Sequence, residues 1–98
     1  MRKALAAAIG LASIAAAASP TRAQPPAGAA ACSGCHPASS GVSSPVVRLA
    51  GMDRESIVRA LQEFRAGTRA GTIMDRIAKG FTDEEIQALA AWFAAQPK

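Results

Sequence analysis

The sequence predicts an all-α protein of three or four short helices. Two segments carry apolar residues at helical spacing behind clear start signals. No stretch alternates as a strand does, and Tyr, a frequent strand residue, is absent.

The first 23 residues are set apart from the fold. Arg2 and Lys3 precede an uncharged run, Ala4 to Ala18, which gives way to Ser19-Pro20 and Thr21-Arg22-Ala23. A basic start, an apolar core and small residues before a cut describe a secretory signal peptide, cleaved near Ala23. Ala27-Gly28-Ala29 is a second possible cut. The apolar run is too short and too rich in Ala for a membrane span, which needs roughly 20 strongly apolar residues. The expected organisation is a signal peptide over 1–23 and one domain over 24–98, with no membrane span after cleavage and a periplasmic location.

Residues 24–30 are rich in Pro, Ala and Gly and read as a lead-in, and a short helix is expected over Ala29 to Cys35. The Ser/Gly/Pro-rich stretch from Pro37 through Pro45 to Val47 reads as a loop. A helix starts with Asp53 as N-cap, with Met52 and Ile57 placed as a hydrophobic staple. Ile57, Val58, Leu61 and Phe64 form its apolar face, Glu55–Arg59 and Arg59–Glu63 are i,i+4 pairs, and Gly67 is the expected stop. Gly67 to Thr72 form a second loop. Ile73 to Lys79 make one or two helical turns, ended by Gly80. The last helix has the clearest start: Thr82 and Glu85 form a capping box and Phe81 and Ile86 a staple. Ile86, Leu89, Ala90 and Phe93 then share one face, and Pro97 ends the run.

The formal charge of +4 belongs largely to the leader. Without Arg2, Lys3 and Arg22, eight basic residues face seven acidic ones, a net charge of +1. Neither this balance nor export fits a nucleic-acid-binding protein. A mature chain of about 75 residues rarely stabilises itself from its own core and usually needs a disulfide, a metal or another staple. The two Cys sit three apart, so a disulfide between them would constrain little of the unfolded chain.

Those two Cys carry the chemistry. Cys32-Ser33-Gly34-Cys35-His36 is C-x-x-C-H, the attachment pattern of a c-type haem. The thiols, one helical turn apart, add across the two vinyl groups of the ring, and the next residue presents an imidazole to the iron. A thioredoxin-like reading lacks its βαβ context, and a zinc site wants four ligands where the chain has two Cys and one His. One covalent haem also answers the core problem, because its apolar ring is something for the short helices to pack on.

The second iron ligand decides the chemistry. With His36 the only His, a bis-His haem within one chain is excluded. Met1 leaves with the signal, and Met52 has its staple, so Met74 is the favoured ligand. Ile77 and Ala78 share its helical side and are placed to pack on the ring. The competing reading makes Met74 core filler and leaves the sixth position open. His/Met ligation raises the reduction potential and suits an electron carrier. Pro45 is either an ordinary loop residue or ends the loop so that its carbonyl, or a neighbour's, accepts the Nδ1 hydrogen of His36. Trp92 and Phe93 pack either on the N-terminal helix near Gly28 or Ala30, or on the haem. The Arg residues at 48, 54, 59, 65, 69 and 76, with Lys79, are mostly a solvated surface, and some are placed to steer partners.

With these residues in view, the chain resembles the class I cytochromes c: C-x-x-C-H near the mature N-terminus, a Pro-rich loop, a helix with Phe-Arg-x-Gly, a ligand Met and a last helix with a C-terminal aromatic. The stretches SPVVRLAGMD, EFRAG and TIMDRIAKGFTDEEI are similar to the haem subunit of flavocytochrome c sulfide dehydrogenase. That resemblance implies Cys32, Cys35 and His36 as haem attachment and proximal ligand, and Met74 as the axial sulfur. It implies electron transfer without a substrate site in this chain. It also implies two partners: an FAD-containing flavoprotein dehydrogenase subunit as donor and a downstream cytochrome as acceptor. Some members of that family carry two haem domains, and this chain has room for one. A free-standing soluble monohaem carrier is the alternative. A five-coordinate haem that binds gas or reduces peroxide is disfavoured by Met74 and by the lack of a distal His.

Overall fold

A computed structural model describes residues 23–98; the expected signal peptide, save Ala23, lies outside them. The described residues form four helices and a 3-10 turn, with no strand among them. In order these are α1 (Ala29–Cys35), α2 (Arg54–Ala66), α3 (Met74–Ile77), the 3-10 turn (Ala78–Gly80) and α4 (Asp83–Ala94). The all-α expectation is borne out. No described helix is long and apolar enough to cross a membrane.

The two long helices begin where their local chemistry says they should. The Asp53 carboxylate accepts the Ser56 N–H at 2.9 Å and the Ser56 hydroxyl at 2.9 Å. These hydrogen bonds, first of all the backbone one, hold the Asp53 carboxyl below the usual carboxylate range. An acid depressed in the folded state favours folding above its unfolded pKa, and that contribution disappears as pH falls through the folded value. Acid titration of the folded protein should therefore lose stability below the ordinary carboxylate pKa. An Asp53→Asn variant should show a shallower decline, read by thermal denaturation at stepped pH. Equal slopes for the two proteins would remove Asp53 from the acid response.

Gly67 ends α2 in the left-handed conformation at φ 78°, its N–H bonding the carbonyls of Glu63 and Phe64. At the head of α4, the Thr82 hydroxyl accepts the Glu85 N–H at 3.2 Å and the Glu85 carboxylate accepts the Thr82 N–H at 2.8 Å, a complete capping box. The single helix expected over 73–79 is split: four residues are α-helical, and the next three tighten into the 3-10 turn.

α2 packs chiefly on α4 and also on α3 and the 3-10 turn. The core joins Ala29 of α1, Ile57 of α2 and Leu89, Ala90 and Phe93 of α4, with Met52, Val58, Leu61, Phe81 and Trp92 partly buried around it. Phe93 thus shares one cluster with Ala29 of α1, and Trp92 borders it. Gly28 is covered by Phe81, not by either of these. Gly28 has φ 89°, and a Cβ there would lie 2.6 Å from Phe81 Cε1, so both its backbone and its neighbour demand glycine.

The core is small. Only Ile86 and Leu89 are large side chains that are fully buried, and no polar side chain is buried among the described residues. The expected Glu55–Arg59 and Arg59–Glu63 pairs do not form. Glu63 pairs with Arg69 and Asp83 with Arg65, because the turn at Gly67 returns Arg69 over the end of α2.

Candidate haem-attachment site

The last four residues of α1 and its cap hold the motif. Cys32 N–H donates to Gly28 O at 3.0 Å, and His36 N–H to Cys32 O at 2.9 Å, so both Cys lie on one helical turn and His36 closes it. Both thiols are free; Cys32 is half-buried against the core and Cys35 is exposed. Burial pushes the Cys32 thiol above its ordinary pKa, against the opposing effect of a backbone hydrogen bond.

His36 Nδ1 lies 2.5 Å from the Val47 carbonyl oxygen. A carbonyl only accepts, so Nδ1 carries a proton, and in the neutral ring Nε2 keeps its lone pair for a metal. The contact fixes both tautomer and ring orientation. The acceptor is Val47, two residues beyond Pro45. Pro45 itself is exposed in the loop and supplies no hydrogen bond to His36. Across it, the Ser44 hydroxyl accepts the Val46 N–H at 3.1 Å, a local turn just ahead of Val47.

Met74 is half-buried and begins α3; Ile77 ends it. The two described Met residues differ in their surroundings. Met52 packs against the core cluster, and Met74 is not part of that cluster. Ala78, after Ile77, is fully buried.

The large apolar side chains left exposed are not scattered. Val42, Val46 and Val47 are 56%, 37% and 58% exposed, and Ile73 and Ile77 are 58% and 38% exposed. One group lies in the loop that supplies the His36 acceptor, and the other flanks Met74. Apolar surface uncovered on the two segments nearest the candidate ligands in sequence, in a domain with so small a core, fits a flat apolar ring. The donor set fits as well: two thiols for a covalent tether, one imidazole with a free Nε2 and one thioether. Among the described residues no cluster of three or more His, Cys, Asp or Glu could hold a metal ion unaided, so iron here would need the ring's own nitrogens.

An open cleft of about 520 Å³, lined by His36 among others, lies between α1, the loop after it and the end of α4. Ala30, Ser33, Arg48, Trp92 and Lys98 line it, but neither Cys nor Met74 does.

No family model matches the chain. Among curated proteins, it is 42% identical over 62 residues to the "Cytochrome subunit of sulfide dehydrogenase" of Chlorobaculum tepidum, covering 63% of this chain and 56% of the relative. It is 41% identical over 71 residues to the "Thiosulfate dehydrogenase electron acceptor" of Stutzerimonas stutzeri, covering 70% and 33%. It is 35% identical over 65 residues to "Cytochrome c-552" of Acidithiobacillus ferridurans, covering 66% and 28%. The chain thus spans about half the length of the first of these relatives and about a third or less of the other two. Relatives that are cytochromes imply haem. Helix order, C-x-x-C-H at the end of α1 and these relatives agree, and the chain is similar to the class I c-type cytochromes, the cytochrome subunit of sulfide dehydrogenase among them.

Proposed function

We propose that this chain carries one covalent haem c and transfers electrons in the periplasm as the cytochrome subunit of a flavoprotein sulfide dehydrogenase. Cys32 and Cys35 tether the ring, and His36 and Met74 are the axial ligands. The observation that carries the reading is the end of α1: two free thiols one turn apart, followed by the only His of the sequence, with Nδ1 tied to Val47 O and Nε2 left free.

When bound, haem supplies a one-electron Fe(III)/Fe(II) couple, and the protein supplies attachment, ligands and docking surface. The thioethers keep the cofactor in a domain too small to enclose it. The Val47 carbonyl raises the basicity of the imidazole. The Met74 thioether, a neutral soft ligand, would favour Fe(II) and raise the potential of a bound haem. With His36 and Met74 both holding the iron, little would rearrange on electron transfer, and the sequence offers no second imidazole as an acid–base group. The chain therefore passes electrons and converts no substrate itself. Arg2, Lys3 and the Ala-rich run that follows support export, and haem attachment outside the cytoplasm is consistent with it.

The first relative's name points to a sulfide dehydrogenase as donor; an FAD-containing donor subunit and a second cytochrome downstream are what the family resemblance implies. The thiosulfate dehydrogenase electron acceptor, at nearly the same identity, favours the second reading, a free soluble carrier serving another dehydrogenase. Gentle purification from the native periplasm, with absorption spectra before and after reduction, separates the two. Haem and flavin bands eluting together, with haem reduced by added sulfide, are the expected result. Haem bands alone would favour the free carrier, and a preparation without haem would overturn the reading.

A further inference from the structure

The segment that carries Met74 is held at both ends by three consecutive residues of α2. At its start, the Glu63 carbonyl accepts the N–H of Thr68 at 3.0 Å and of Arg69 at 3.3 Å. The Glu63 carboxylate takes Arg69 Nε and Nη2, each at 2.7 Å. The Arg69 guanidinium lies 5.5 Å from the centroid of the Phe64 ring, and Gly71 sits so close to Phe64 that a Cβ there would meet Cε1 at 2.8 Å. At its end, Arg65 Nη1 donates to the Phe81 carbonyl at 3.1 Å, and Arg65 Nη2 pairs with the Asp83 carboxylate. Glu63, Phe64 and Arg65 thus fasten both ends of the chain between Gly67 and Thr82.

Of the two described ion pairs, one fixes Arg69 at the start of the segment and the other joins Arg65 to Asp83, the first residue of α4, just past its end. Exposed ion pairs contribute little to global stability. Arg65, however, is partly buried and splits one planar guanidinium between a carbonyl and a carboxylate, a geometry that fixes position.

We propose that Glu63 and Arg65 are positioning residues for Met74: the double clasp holds the 67–82 segment so that the thioether stays on the iron. The inference rests on the reading of Met74 as axial ligand. Losing the clasp enlarges the population whose sulfur is off the iron, and an added ligand that must displace the sulfur then binds more tightly in proportion to that population.

The test uses the ferric holoprotein and imidazole as the probe, with the far-red absorption band of thioether-bound ferric haem as a second readout. Arg65→Ala and Glu63→Ala should bind imidazole about tenfold more tightly than wild type and show a weakened band, since the fraction off the iron rises in that ratio. Arg65→Lys, which keeps the charge but not the planar fork, should fall between. Arg54→Ala is the control: it removes a cross-helix hydrogen bond to Gln87, 3.0 Å long, that does not touch the segment. It should leave imidazole affinity unchanged. If Arg65→Ala does not fold, Arg69→Ala decides, because that side chain is largely exposed.

Wild-type affinity and band in the Glu63 and Arg65 variants would overturn the clasp, as would an equal loosening in Arg54→Ala. Met74→Ala separates the two ideas. If it keeps the band, the ligand assignment falls and the clasp with it; if it loses the band while the clasp variants keep theirs, only the clasp falls.

Discussion

Replacing both Cys32 and Cys35 with Ser should abolish the folded protein, not merely its colour. The two large, fully buried side chains and the Ala-rich contacts around them are a thin core for a domain this small. Cores of this size rarely contribute more than about 3–5 kcal/mol, of the same order as what is lost when a staple is removed. Val42, Val46, Val47, Ile73 and Ile77 add apolar surface that water would have to solvate if no ring covered it. Wild type exported in cells with a haem-attachment apparatus should keep its pigment on a denaturing gel, melt cooperatively and show strong helical circular dichroism. The double variant should be colourless and should show neither the cooperative transition nor most of the helical signal. Wild type made in the cytoplasm, without attachment, should resemble the double variant. A colourless Cys32→Ser/Cys35→Ser protein that melts cooperatively at the wild-type temperature would show that the helices support one another unaided.

What the sequence disclosed, and what it did not, divides along the range of the interactions. The starts of α2 and α4 were legible because their signals are local: Asp53 with Ser56 and Thr82 with Glu85 lie within one turn. The motif at 32–36 was legible for the same reason, since one helical turn fixes the spacing of thiols and imidazole. The misread features all depend on chain that folds back. Glu63 meets Arg69 across the Gly67 turn instead of Arg59 along the helix. Phe81, read only as a staple, also covers Gly28, and nothing in the spacing joins residues so far apart. For Pro45 the sequence left two readings open, an ordinary loop residue or the source, itself or through a neighbour, of a carbonyl for His36; the carbonyl that arrives is Val47's, because the loop's path rather than its proline decides which one does. The 3-10 turn at 78–80 has no sequence signature of its own; it packs against α2, and its Ala78 is fully buried.

The ligand assignment is the claim most open to direct measurement. In Met74→Ala, the reduction potential should fall by on the order of 0.2 V, because axial ligation spans potentials of about 0.8 V and the soft, neutral thioether is what favours Fe(II). The reduced variant should bind carbon monoxide at a position that wild type keeps closed. Met74→His should restore six-coordination and exclude carbon monoxide while leaving the potential low, which separates ligand identity from mere occupancy. Met52 is the counter-test. It borders the core cluster, and its backbone N–H donates to Leu49 O at 3.0 Å ahead of α2. Met52→Ala should therefore lower stability by about 1 kcal/mol, less than a fully buried truncation costs, and leave the potential near the wild-type value. The opposite pattern, an unchanged potential in Met74→Ala and a lowered one in Met52→Ala, would move the sulfur ligand to the head of α2. The 67–82 segment would then be a structural strap, and the exposure of Ile73 and Ile77 would need a partner surface rather than the ring to account for it.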